Sequence, residues 1–243
     1  MNKNILTTGN DPMGAAISDF YRRGKAARLR VFSSQFDEDE IPVDLLFREL
    51  ADMPALEQKA LGEAHGRVLD VGAGSGCHSL EIQKRGLEVC AIDISPLSVE
   101  VMRQRGVKDA RLVNMFDEGF QERFDTVLML MNGSGVIGRL ENLPAFFQRM
   151  KQILNPGGCI LMDSSDLKYI FEDEDGSFLI DLAGDYYGQV DFKMKYKEVE
   201  GDVFDWIYID FETLKAYAAE SGFNVELLLE GEHYDYLAKL TLK

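Results

Sequence analysis

At 243 residues, 46% of them hydrophobic, the chain can bury the core of one large domain with a small appendage. Its 42 acidic against 26 basic residues leave a formal net charge of −16, which argues against tracking along nucleic-acid phosphates, since that binding draws on clustered Lys and Arg. Cys77, Cys90 and Cys159 are widely spaced with no CxxC pair, and neither a signal-peptide core nor an apolar run of ~20 residues occurs. These features predict a cytoplasmic protein with free buried thiols and with neither a nucleic-acid nor a membrane partner.

From about Asp19 to Leu61 the apolar spacing is helix-like in pieces: Ala26, Ala27, Leu29 and Val31, then Val43, Leu45, Leu46 and Leu50. A loop at Asp37-Glu38-Asp39-Glu40 and Pro42 interrupt it, so residues 1–62 read as a helical N-terminal cap. Within 63–243, short apolar runs alternate with helical segments, the pattern of βαβ units in a parallel sheet covered on both faces. The expected strands are Val68–Val71, Val89–Ile94, Arg111–Met115, Thr126–Met131 and Cys159–Met162; the crossovers are Ser75–Lys84, Pro96–Arg105 and Leu140–Leu154. Ser95-Pro96 reads as an N-cap and first helical residue, and Asn155-Pro156-Gly157-Gly158 as a helix stop. Between about 170 and 205 the regularity changes. Val190, Phe192, Met194 and Tyr196 alternate with charged residues, and Glu200-Gly201-Asp202 precedes a second run at Val203–Ile209, the pattern of an inserted β-hairpin forming a lid. A helix at Phe211–Ser221 and strands at Asn224–Leu229 and Tyr236–Leu242 close the chain. The expected class is therefore α/β, a seven-stranded, mostly parallel sheet with helices on both faces.

The first strand runs into Gly72-Ala73-Gly74-Ser75-Gly76, a glycine turn that lets backbone approach a ligand and aims the next helix's amides at it. Its spacing is GxGxG, with Cys77 where the third glycine of a dinucleotide GxGxxG would fall, and Asp70 precedes the first glycine by two positions. Asp93 ends the next strand, where a carboxylate can accept from both ribose hydroxyls. Asn114 ends the third.

The arrangement Asp70-x-Gly72-x-Gly74-x-Gly76, with Asp93 and Asn114 in order, resembles class I S-adenosylmethionine-dependent methyltransferases of the small-molecule type. The resemblance implies a Rossmann-like fold, S-adenosylmethionine as cofactor and a small-molecule methyl acceptor, in a monomer or homodimer. It places Asp70, Gly72, Ala73, Gly74, Gly76, His78, Asp93, Ile94, Asn114, Met115, Phe116 and Met131 around the cofactor. Tyr21-Arg22-Arg23-Gly24-Lys25-Ala26-Ala27-Arg28 is similar to the N-terminal segment of glycine N-methyltransferase, which implies that Tyr21 and Arg28 hold the methionine carboxylate; Arg suits a carboxylate through its planar fork. The competing reading is a solvated amphipathic helix. Asn132 follows the fourth strand near the transferred methyl. Asp163, Asp166 and Tyr169 stand on the acceptor side, where that family carries an arginine and this chain has Ser165, a departure that tells against glycine as acceptor. Asp163, Asp166, Tyr169 and His78 are the candidates for a general base.

Two other readings are an NAD-dependent oxidoreductase and a catalytically silent S-adenosylmethionine-binding protein. Met129 and Met131 read as core filler, and Lys193, Lys195 and Lys197 as a solvated face. Glu172-Asp173-Glu174-Asp175-Gly176 lacks calcium-loop spacing, and His65, His78 and His233 form no metal pair, so no metal is expected.

Overall fold

The computed structural model describes residues 4–171 and 184–243; the acidic run at 172–176 lies outside the described residues. The chain runs α1 (Pro12–Arg23), β1 (Leu29–Phe32), β2 (Asp39–Ile41), α2 (Ala55–Glu63), β3 (Arg67–Val71), α3 (Cys77–Lys84), β4 (Glu88–Asp93), α4 (Pro96–Arg105) and β5 (Ala110–Leu112). It continues through β6 (Phe124–Met129), α5 (Leu143–Ile153), β7 (Leu154–Ser165), β8 (Gln189–Tyr196), β9 (Val199–Glu200), β10 (Phe204–Ile207), α6 (Phe211–Glu220), β11 (Phe223–Glu230) and β12 (Asp235–Leu242).

Seven strands form the central sheet in the order β11-β12-β7-β6-β3-β4-β5. Only β12 opposes the rest, pairing antiparallel with β7 and β11. Period-two alternation sorts the core. Leu69 and Val71 join α5 and α6, whereas Val68 faces α2 and α3. Asp70 shares that second face, so the fold delivers its carboxylate to α3. Local chemistry sets the boundaries where the sequence suggested: Ser95 caps α4 by accepting from Ser98 N, and Pro96 is its first residue. The three cysteines are buried and free.

The helical N-terminal cap is only partly helical. Leu29–Phe32 and Asp39–Ile41 are strands, the second lying where a loop was expected. β1 pairs antiparallel with β2 and with β8, and β8 pairs with β10 and β9, giving a second, five-stranded sheet. The N-terminal segment and the inserted hairpin thus share one sheet. Leu29 and Val31 alternate with Arg30 and Phe32 at period two, and β1 is paired on one side by the nearby β2 and on the other by β8, more than 150 residues away. The inner face of this sheet, including Leu29, Met194 and Tyr196, packs on Ala16 and Ile17 of α1 and on Met131 at the end of β6. Lys193 and Lys195 lie on the other face, paired with Glu200. The small sheet roofs the carboxyl ends of the central strands.

Tyr196 pins roof to body. Its ring is buried, its hydroxyl donates to Asp19 at 2.9 Å, and the Ala27 N–H donates to it at 3.1 Å. Tyr196→Phe removes both bonds and leaves a backbone donor unsatisfied, so a loss of about 1–3 kcal/mol is expected in urea unfolding with an unchanged m-value.

Candidate functional site

The site is built at the carboxyl ends of β3, β4, β5 and β6, where open α/β sheets bind ligands. Gly72 and Gly74 have φ of 69° and 56°. A Cβ on Gly72 would meet nothing within 4 Å, and one on Gly74 only the Gly72 carbonyl at 4.0 Å, so the turn presents bare backbone to open space. Gly76 is different: a Cβ there would meet Met102 and Val107, so this glycine is required for packing. The turn is tied down by Gly72 N and Ala73 N, both donating to the Ile92 carbonyl at 3.0 and 3.1 Å.

Asp93 completes the cradle. Its Oδ2 accepts from Gly74 N and its Oδ1 from Ser95 N, both at 2.8 Å. Burial pushes its pKa up to about 6, with the Asp11 and Asp70 charges in the same direction and the two N–H bonds against it. At the end of β5, Asn114 Oδ1 accepts from Phe116 N at 2.9 Å. The side chains of Met115 and Phe116 are buried in the core. The Ile94 carbonyl accepts from Leu6 N at 2.9 Å. Ala73 packs against Ala91 and Val99.

Below the turn lies a buried charged array. Asp70, 2% exposed, accepts from the Ser79 hydroxyl at 2.6 Å. His78 Nε2 lies 2.7 Å from Glu57 Oε2, and the other Glu57 oxygen takes a guanidinium nitrogen of Arg48. Burial works against the charged imidazole, but Glu57 and the Asp70 charge outweigh it and raise the His78 pKa. Arg48 donates to the Leu45 carbonyl at 2.8 Å, while its buried Nε has no partner among the described residues. His78 is therefore an ion-pair partner beside the cofactor turn. Arg48 and Glu57 escaped sequence reasoning because nothing local joins them; the 21 residues between Glu57 and His78 close only in the fold.

Tyr21 and Arg28 stand apart from each other, Tyr21 on α1 and Arg28 just before β1. The Tyr21 hydroxyl donates to the Gln104 carbonyl at 3.2 Å, at the end of α4 remote from Ser95, roughly 13 Å along that helix. Arg28 is exposed and paired with Glu40 across the β1–β2 ladder. α1 packs on α4, and Arg105, the residue after Gln104, donates to the Ser75 carbonyl of the glycine turn at 2.8 Å and lines a cavity together with Tyr21, Arg48 and Cys77.

After β6, Met131 and Asn132 both adopt left-handed backbone, φ 66° and 56°. Asp163 holds them there: its oxygens accept from Met131 N at 3.0 Å and Gly133 N at 2.9 Å. The buried carboxyl, its pKa pushed up to about 6 by burial, thereby clamps the turn through two N–H bonds. Asn132 Oδ1 accepts from the Ser165 hydroxyl at 2.9 Å. Asp166 is also engaged, by Lys168 at 3.0 Å and the Tyr187 hydroxyl at 2.7 Å. Tyr169 is exposed and stacks on Tyr234.

A bare glycine turn, a carboxylate at the next strand end and a strained turn after the fourth parallel strand define a nucleoside-binding site of the methyltransferase kind. The chain belongs to the methyltransferase-domain family, whose model matches residues 44–228. It is similar to a SAM-dependent methyltransferase from Bacteroides fragilis, solved in complex with S-adenosyl-L-homocysteine, with 68% identity, coverage of 100% of this chain and 99% of that one, and a TM-score of 0.94. An uncharacterized methyltransferase of Staphylococcus carnosus is 25% identical over 178 residues, 73% of this chain and 79% of that protein. The demethylmenaquinone methyltransferase of Tropheryma whipplei is 30% identical over 109 residues, only 43% of this chain and 44% of that protein. The protein is a SAM-dependent methyltransferase, and S-adenosylmethionine is its cofactor.

Glu57→Gln leaves Arg48 and His78 with a weakened shared counter-ion, and a loss of about 3–5 kcal/mol is expected in denaturant unfolding. The His78 pKa is raised on folding, so its contribution is full below the ordinary value of 6.5 and is lost as pH rises through the folded value. The variant is expected to flatten that slope, measured by unfolding titrations across this range.

Proposed function

We propose that this methyltransferase acts on a small-molecule acceptor held between the roof sheet and the strand ends. The observation that carries the reading is the roof itself, whose apolar inner face closes over the turn after β6. The net charge of −16 supplies no basic track for a nucleic-acid substrate. Among the described residues no helix is long and apolar enough to cross a membrane. The cytoplasmic setting is inferred from the three free, buried thiols, and the chain works as a monomer or homodimer.

When bound, S-adenosylmethionine supplies a methyl group on a sulfonium, which an acceptor lone pair takes as the carbon–sulfur pair returns to sulfur. Gly72 and Gly74 admit the cofactor's backbone-close approach, Asp93 accepts from the ribose, and Asn114 borders the adenine. Asp70 and Arg48, whose Nε has no partner among the described residues, hold the methionine end. Asp163 fixes the Met131–Gly133 turn, and Asn132 borders the acceptor. With Asp163 and Asp166 both engaged, positioning and exclusion of water carry the acceleration, and the acceptor's proton leaves to solvent.

Incubation of the enzyme with methyl-labelled S-adenosylmethionine and a cell extract is expected to place label in the low-molecular-weight organic fraction; label confined to protein or nucleic acid would overturn the small-molecule assignment. Asp93 must be ionised to accept from both hydroxyls. Calorimetric affinity for S-adenosylhomocysteine should therefore rise about tenfold from pH 5 to pH 7 around the value near 6, and Asp93→Asn should weaken binding and remove that dependence. Asp163→Asn replaces an acceptor-only carboxylate with an amide that cannot take both N–H bonds. The expected result is a loss of about 1–3 kcal/mol of stability and a kcat that falls more than cofactor affinity does, compared by steady-state kinetics and titration.

A further inference from the structure

We infer that Trp206, Phe192 and Phe204 on the roof select an acceptor carrying a flat, uncharged ring, and that Tyr208 meets its polar substituent. The inference rests on the small-molecule reading above and names the substrate class. β8 and β10 pair with Phe204 opposite Phe192 and Trp206 opposite Val190, and directly paired residues share a face. That face is the inner one: Val190 and Tyr196 are buried on it, and Met194 packs in the cluster that contains Met131.

The three rings form a connected wall. Phe204 meets Trp206 edge to face at 6.1 Å, Phe192 lies 6.2 Å from Phe204, and Tyr208 lies edge to face with Phe192 at 6.4 Å. The indole of Trp206 lies directly on Gly135, in the turn that follows Asn132; any Cβ at 135 would occupy the indole's place. The Ser134 hydroxyl binds the Ile207 carbonyl at 2.9 Å and fixes β10 against this turn. The wall therefore stands beside the residue that borders the transferred methyl, and all of its rings are only partly buried. The Tyr208 hydroxyl has no hydrogen-bond partner among the described residues.

Charge chooses among ligands for such a wall. A cation would also suit aromatic faces, but it needs a carboxylate to offset its lost hydration. Among the described residues the neighbouring carboxylates are engaged: Asp163 by two backbone N–H groups, Asp166 by Lys168, Asp205 by Arg139 at 3.2 Å, and Asp210 by Thr213 N and the Tyr186 hydroxyl. The same pairings occupy Lys168 and Arg139, which leaves no free cation beside the wall among the described residues for an anionic acceptor. What remains is stacking on an uncharged ring, with a hydroxyl available for its substituent.

Trp206 is the only tryptophan of the chain, so its emission reports on this wall directly. With S-adenosylhomocysteine saturating, catechol, resorcinol and 4-hydroxybenzamide should be titrated against their cyclohexane counterparts. At least one planar probe is expected to change Trp206 emission saturably, at least tenfold more tightly than its saturated counterpart. Gly135→Ala, which displaces the indole, and Phe192→Leu should each erase that preference while S-adenosylhomocysteine affinity stays unchanged. Equal responses to planar and saturated probes, or none, would overturn the ring assignment yet leave the methyltransferase reading intact. Failure of the wild-type chain to bind S-adenosylhomocysteine would instead overturn that underlying reading.

Discussion

The Asp93 carboxylate is the interaction on which the cofactor side depends. One oxygen holds Gly74 N and the other Ser95 N, so a single residue spans the glycine turn and the start of α4. The turn needs such an anchor because its left-handed glycines are free to adopt many conformations in the unfolded chain. The same burial that makes the anchor firm raises its pKa.

Asp163 repeats the device on the methyl side. Two consecutive non-glycine residues in left-handed backbone cost of order 1–3 kcal/mol each, and two charge-assisted bonds from a buried carboxylate offset part of that cost. The strain lies in the stretch between β6 and β7, before the segment that β10 covers. Beneath the glycine turn, Asp70, His78, Glu57 and Arg48 form a third polar assembly, in which two acids and two bases balance in the buried interior. All three assemblies use side chains buried at the sheet edge, and each holds backbone or a charged neighbour in place ahead of binding.

The roof explains how one common sheet acquires a specific acceptor. Its strands come from both ends of the methyltransferase core: β1 and β2 precede β3, whereas β8, β9 and β10 interrupt the chain between β7 and α6. Pairing β1 with β8 closes the site with antiparallel hydrogen bonds, and period-two alternation then gives the roof an aromatic inner face and a charged outer one.

The parallel core, the order of its strands and crossovers, and the glycine turn with Asp70, Asp93 and Asn114 near successive strand ends were legible in the sequence. Buried strands, capped helices and glycine turns are specified by neighbours within a few residues. The strand character of residues 29–41, the Arg28–Glu40 pair, the Arg48–Glu57–His78 array and the clamp formed by Asp163 were decided only by tertiary structure. Each depends on groups far apart in the chain. A strand needs its distant ladder partner, and a buried carboxylate takes its role from whichever N–H groups the fold brings to it.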